Sequence, residues 1–161
     1  MKRVGNTDSI AKKFVWTDDF GLVTKELGKS VGSEKVYANM DIVPPMKKST
    51  KYHSHSQQEE FFFILSGTGT LIVNEEEILV QSNDYFSKPA GLGIAHTFFN
   101  TGSEDLVILD FGTTEKEDTC YYPDEKIYLH KSADDTQQVF REDSLIEGWT
   151  SDPNEWSTGF T

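Results

Sequence analysis

Cysteine occurs once in the 161-residue chain, at Cys120, and arginine twice, at Arg3 and Arg141. A single thiol forms no intrachain disulfide, so the fold must be held by packing, and such sparing use of cysteine fits a reducing compartment. Two arginines cannot make the basic stripe that follows a phosphate backbone, and a net charge of -12 repels one. No nucleic-acid partner is expected. The same scarcity removes the bidentate fork that arginine offers a phosphate or carboxylate, leaving lysines, backbone amides or a metal ion to hold an anion. No apolar run approaches the ~18 residues of a membrane span, so no membrane partner is expected. The basic start, Met1 to Asn6, leads into Thr7, Asp8 and Ser9 without the apolar stretch of a signal peptide, and a cytoplasmic location is expected. A phosphate-binding glycine loop is missing too: Ser66-Gly67-Thr68-Gly69-Thr70 reads as a hairpin turn with no lysine or helix after it.

What is present reads as one soluble, all-β domain over residues 1–161. From Val36 to Gly112 short apolar-rich runs alternate with turn residues at the ~8 to 12-residue spacing of a β-sandwich or barrel. The runs are Val36 to Val43, Lys51 to His55, Glu60 to Leu65, Gly69 to Val73, Glu77 to Val80, Asp84 to Lys88, His96 to Asn100 and Leu106 to Phe111. Pro44-Pro45, Asn74-Glu75, Ser82-Asn83, Pro89-Ala90-Gly91 and Thr101-Gly102-Ser103 are among the breaks. Residues 1–35 form an arm with apolar patches at Phe14 to Trp16 and Phe20 to Val23 and room for one or two extra strands. Residues 113–161 form a polar extension, with Tyr121-Tyr122-Pro123-Asp124 read as a turn and Lys126 to His130 as a further strand. Trp149 and Trp156 in that extension are expected to pack on the barrel.

Three of the four histidines fall in two short clusters: His53-Ser54-His55 followed by Glu60, and Pro89-Ala90-Gly91 followed by His96 and Asn100. Along a strand residues i and i+2 share a face, so His53 and His55 project together, with Lys51 on the same side. Glu60 points with Phe62 and Ile64, and His96 with Phe98 and Asn100, while Phe61, Phe63 and Phe99 point the other way. Apolar residues on both faces suit a barrel wall covered outside by another layer or a second subunit, and a homodimer is expected. Three imidazoles and a carboxylate suit a divalent first-row metal, and four ligands leave one or two coordination positions open for a substrate oxygen or water. The donor set does not select among Mn, Fe, Ni, Co and Zn. A pair of histidines two apart on a strand is also compatible with a hydrated barrel mouth. The combination with Glu60, the glycine turn and the downstream proline, glycine and histidine points to the metal.

The stretches H-S-H-S-Q-Q-E-E-F-F-F-I-L-S-G and N-D-Y-F-S-K-P-A-G-L-G-I-A-H-T-F-F-N resemble the first and second motifs of the cupin superfamily. The resemblance covers roughly Val36 to Gly112 and implies a double-stranded β-helix of the jelly-roll type, with His53, His55, Glu60 and His96 at the positions of the family's metal ligands. Glu60 is preferred to Glu59 because only Glu60 lies six residues before Gly67, as the motif requires. Asn83 stands where the second motif usually opens with glycine, and asparagine also tolerates a left-handed turn. Four residues separate Gly91 from His96 where two are commonest. The chain is thus similar to the small single-domain cupins with a P-A-G-x-G-x-A-H variant, a subgroup sometimes named sugar-phosphate isomerase-like by fold analogy.

The resulting expectation is a metal-dependent enzyme on a small oxygenated metabolite, of isomerase, decarboxylase or dioxygenase type. The alternative is a non-catalytic module that binds a metal or small ligand. Lys51, Phe62 and Phe98 are candidate substrate contacts, although a strand-end lysine is more often solvated and an inward phenylalanine more often core. No residue is named as general base. Cys120 has no histidine near it in sequence, and His130 stands alone in its expected strand.

Overall fold

A computed structural model describes residues 4–145. Trp149 and Trp156, expected to pack on the barrel, lie outside them. The described residues form thirteen strands, one short helix and two single-turn 3-10 helices. In the arm come β1 (Lys13–Trp16), β2 (Gly21–Glu26) and the four-residue helix α1 (Leu27–Ser30). The central strands are β3 (Val36–Val43), β4 (Ser54–His55), β5 (Glu60–Ser66), β6 (Thr68–Val73), β7 (Glu76–Gln81), β8 (Tyr85–Lys88), β9 (His96–Phe99) and β10 (Leu106–Thr113). The extension adds β11 (Asp118–Tyr122), β12 (Ile127–Lys131) and β13 (Gln137–Arg141). No helix among the described residues is long and apolar enough to cross a membrane.

One wall is a six-stranded sheet in the order β1-β2-β3-β10-β5-β8. Facing it are a three-stranded sheet, β7-β6-β9, and a four-stranded one, β13-β12-β11-β4, joined by a backbone bridge between His53 and His96. The strand pairings are antiparallel, and from β3 to β10 the chain changes sheet at every step but β6 to β7, which is the double-stranded β-helix of a jelly roll with an N-terminal arm and a C-terminal extension.

Alternation builds the core directly. Glu60, Phe62 and Ile64 of β5 are buried while Phe61 and Phe63 are half-buried on the other face. Leu106 and Ile108 of β10 are buried by the same parity, and with Leu22, Val43, Leu71, Val80 and Phe98 they form one apolar cluster. At the end of the barrel Asn100, fully buried, donates from Nδ2 to the carbonyls of Val43 (2.7 Å) and Glu104 (2.8 Å) and accepts from the Gly102 amide (2.9 Å).

Three local readings are corrected. Ser66-Gly67-Thr68 is not a hairpin: β5 and β6 lie in different sheets, and the turn is a corner where the chain crosses between them. Gly67 sits there at φ +86°, and a Cβ on it would meet the Asp105 carbonyl at 2.4 Å, so the corner itself requires glycine. Tyr121 and Tyr122 are strand residues, because β11 finds a partner on each side in β4 and β12, and the turn begins at Pro123. The strand expected over Lys51 to His55 shortens to Ser54–His55, with His53 making only an isolated bridge to His96. Asn83 does take the left-handed conformation expected of it, at φ 77°.

Candidate metal centre

The bridge between His53 and His96 sets the site. Each backbone amide donates to the other residue's carbonyl (His96 to His53, 2.9 Å; His53 to His96, 3.2 Å), which brings the downstream histidine beside the upstream pair. The His96 ring lies 5.3 Å, centroid to centroid, from that of His53 and 4.8 Å from Phe62. Glu60 reaches the same region from β5, directly across from Lys88 of β8.

Among the described residues, His53, His55 and Glu60 each offer a ligand atom within 4.8 Å of the others. The Nε2 atoms of His53 and His55 are 3.1 Å apart, and His55 Nε2 is 3.6 Å from Glu60 Oε1. Bonds of ~2.0–2.1 Å from one ion produce ligand separations of roughly 3 to 3.5 Å, so this spacing fits a shared cation. His96 adjoins the trio: it is 3% exposed and its Nδ1 is buried without a hydrogen-bond partner.

Two acceptors fix the tautomers. His53 Nδ1 lies 2.7 Å from the carbonyl of Lys51, which can only accept, so Nδ1 carries the proton and Nε2 presents a lone pair. His55 Nδ1 lies 2.5 Å from Asp118 Oδ2, which likewise accepts and leaves the His55 Nε2 lone pair facing that of His53. Asp118 is itself held by donations to Oδ1 from the Ser56 amide (3.1 Å), the Ser56 hydroxyl (3.1 Å) and the Gln57 amide (2.9 Å). Lone pairs converging from 3.1 Å need a cation between them, a proton or a metal ion.

Burial lowers His53 to about 4, with the neighbouring His55 and Lys88 acting in the same direction. Burial also takes His96 well below the ordinary histidine range, and both rings are neutral at pH 7. For Glu60 burial acts upward but is outweighed by Lys88, His55 and His53, so its carboxyl is held below its ordinary value. Asp118 is likewise lowered, burial being outweighed by the hydrogen bond from His55 and the backbone amide of Gln57. Lys88, 1% exposed, forms an ion pair with Glu60 Oε2 and has no other polar partner among the described residues.

A cavity of about 90 Å³ adjoins these groups, lined by His53, Glu60, His96, Phe62 and Phe98 together with Asp41, Asp110 and Ile108. Phe62 and Phe98, read as candidate substrate contacts, are therefore both core and cavity wall. Lys51 is placed elsewhere: its ammonium meets Glu125 at 2.5 Å near the surface and only its carbonyl touches the site. His130 bonds through Nδ1 to the Thr119 hydroxyl at 3.0 Å.

Sequence reasoning missed Lys88, Asp118, Cys120, Asp41 and Asp110. Cys120 Sγ is 3.3 Å from His55 Nδ1, although no histidine is near it in the chain, and burial and Asp118 raise its thiol to about 12. Asp118 sits 63 positions from His55, beyond any local pattern. Lys88 was the one readable signal: its strand is short and it stands where side chains must turn inward.

Residues 39–112 match the family model described as cupin domain. No curated protein matches the chain significantly. Among solved structures, the chain is similar to a protein of Acidithiobacillus ferrooxidans provisionally described as a sugar phosphate isomerase, at 28% identity over 78% of this chain and 80% of that one, with a TM-score of 0.75. A sugar phosphate isomerase from a cupin superfamily, from Silicibacter pomeroyi, shares 24% identity over 88% of this chain and 96% of that one, with a TM-score of 0.78. A predicted oxalate decarboxylase of Thermotoga maritima shares the fold at 19% identity over 70% of this chain and 99% of that one, with a TM-score of 0.60.

Proposed function

We propose that the chain, whose residues 39–112 match the cupin-domain model and whose barrel is similar to that of cupin structures, binds a divalent transition-metal ion through His53, His55, Glu60 and His96. The reading continues to a metal-dependent enzyme that acts on a small oxygenated metabolite. The observation that carries it is the pair of histidine Nε2 lone pairs held face to face at 3.1 Å by acceptors behind each ring.

When bound, the ion would polarise a carbonyl or hydroxyl of the substrate. The rest is work for the protein's own side chains. Asp118 orients His55, and the Lys51 carbonyl orients His53. Lys88 holds Glu60 Oε2 and leaves Oε1 on the histidine side. Phe62, Phe98 and Ile108 keep the cavity dry on its apolar side. A volume of about 90 Å³ is room for on the order of three water molecules, which suits the reacting end of a two- or three-carbon oxygenated group. The sugar phosphate isomerase description of the Acidithiobacillus ferrooxidans relative supports the isomerase form of this reading.

Elemental analysis of protein purified without chelator or histidine tag tests it. One equivalent of a transition metal is expected, lost in His53→Ala and His55→Ala; a chain that takes up none of Mn, Fe, Co, Ni or Zn would refute it. The smallness of the cavity also favours a second reading, a non-catalytic binding module. Tight reversible ligand binding with no turnover across sugar phosphates, keto acids and catechols would select that one.

The reading includes a second copy of the chain on the outer face of the six-stranded sheet. Phe61 stacks there on Phe111 (5.0 Å) and Tyr85 (5.9 Å), and Tyr85 is 72% exposed, with Leu65 and Val36 of the same sheet also exposed.

A further inference from the structure

The cavity that His53, Glu60 and His96 share is also walled by Asp41 and Asp110, two carboxyls for which the metal cluster has no use. Their placement follows from register. In the antiparallel pair of β3 and β10, Asp110 faces Asn39, so Tyr37 and Asp41 are its two diagonal neighbours on the inward face.

Donors there are few: Gln58 Nε2 reaches Glu60 Oε1 at 3.2 Å, and the Thr24 hydroxyl of β2 stands opposite Asp41. The Tyr37 hydroxyl donates to Asp110 Oδ1 at 2.8 Å and lies 3.2 Å from Glu60 Oε1, but it has one proton for the two. Lys88 is taken by Glu60 Oε2. Asp41 Oδ1 is buried with no partner among the described residues. Two ionised carboxylates side by side in such a place would each keep an uncompensated charge.

We propose that Asp41 and Asp110 act as a carboxyl pair that keeps one proton between them at neutral pH and exchanges it with a substrate bound in the cavity. The inference rests on the metal-centre reading for the substrate's position and on the Asp41, Asp110 and Tyr37 geometry for the pair itself.

The surrounding charges agree. Burial pushes both carboxyls up, Asp41 to about 6 and Asp110 well above the ordinary range, and the Asp41 charge is the next largest influence on Asp110. The groups facing them are Thr24 of β2, which with Asp110 opposes the rise of Asp41, Tyr37 of β3, Glu60 of β5 and Lys88 of β8, with His53 and His96 on the same cavity. Glu60 adds to the upward push on Asp110, and Tyr37 and Lys88 oppose it.

The step balances without an oxidant or reductant. The ionised member takes a proton from the carbon next to a substrate carbonyl, and the C–H bonding pair remains on the substrate as an enolate. The pair then holds two protons and returns one to the neighbouring carbon or oxygen, which restores its starting state. The substrate class is a small α-hydroxycarbonyl compound.

The test follows the full chain carrying carboxyl-¹³C aspartate by NMR, metal-free from about pH 4 to about pH 9 and zinc-loaded at pH 7, where the ion's charge acts downward on both carboxyls. One of the two carboxyls is expected to stay protonated through pH 7, and Asp41→Asn should move the Asp110 titration down toward the ordinary ~3.9. Both carboxyls ionised at pH 7, or an Asp110 titration indifferent to Asp41→Asn, overturns the pair. Dihydroxyacetone in D₂O then probes exchange: deuterium should enter the carbon next to the carbonyl about a hundredfold faster with the wild type than with Asp110→Asn. Equal rates overturn the exchange role. Zinc content is measured on every sample. A wild type that takes up no zinc fails the metal reading and leaves the carboxyl titration to be judged by itself. Zinc lost only in the aspartate variants makes them ligands and overturns the pair.

Discussion

Asp118→Asn should weaken metal binding roughly 10- to 100-fold while the chain stays folded. Asp118 is 7% exposed, and its Oδ1 accepts from the amides of Ser56 and Gln57 and from the Ser56 hydroxyl. An asparagine of the same shape keeps its carbonyl oxygen on those donors and therefore turns its NH₂ toward His55 Nδ1, where Oδ2 stood. Two donors then meet. His55 relieves the clash by moving its proton to Nε2, the atom that faces His53 Nε2 at 3.1 Å, and the lone pair offered to the ion is gone. To bind metal the ring must return to the original tautomer and leave a buried donor unmatched. That reversal costs about one charge-assisted hydrogen bond, ~1.5–3 kcal/mol, and at ~1.4 kcal/mol per tenfold this is the stated loss. Competition for zinc between the protein and a chromophoric chelator measures the affinity, and long-range ¹H–¹⁵N NMR reads the His55 tautomer. Unchanged affinity with the proton still on Nδ1 would refute the reasoning.

Acid should weaken the His53 contribution to the stability of the metal-free chain well before its exposed carboxylates titrate. Between the ordinary histidine value of ~6.5 and about 4, the unfolded chain takes up a proton at His53 that the folded chain refuses. The His53 share of stability is therefore whole above about pH 6.5 and falls as pH drops toward 4, by about 3 kcal/mol, while Asp41, raised to about 6, adds stability over the same fall; a melting-temperature difference between the wild type and His53→Ala that stays flat between pH 7 and 5 contradicts this. Asn100→Ala removes both donations to the Val43 and Glu104 carbonyls and the acceptor for Gly102. The cost expected in urea denaturation is about 3 kcal/mol, and a loss under ~1 kcal/mol would mean that water replaces the amide. Sedimentation should show a dimer that Tyr85→Glu with Phe111→Glu dissociates, and a wild-type monomer at micromolar concentration removes that interface.

The barrel was legible because its strands obey a two-residue period. Val36 to Val43 is a strand to the residue, and Glu60, Phe62 and Ile64 are buried against half-buried Phe61 and Phe63 as alternation requires. Errors fall where pairing partners, not composition, decide. Tyr121 and Tyr122 carry turn-like neighbours yet are drawn into a strand by β4 and β12. The two histidine clusters were visible through their spacing, but the groups that set their protonation were not. Asp118 and Asp110 look like ordinary acidic residues until topology carries them inside. Lys51 shows the limit of parity: its backbone serves the site while its long side chain finds Glu125 outside.

The segment shared with the family ends at residue 112, and the carboxylate that steers His55 begins the strand six residues later. Borrowing the barrel without its C-terminal sheet would thus transplant the three site histidines and leave one of them free to turn. Members of such a superfamily can differ in metal grip through whatever chain they append, even where their signature residues are identical.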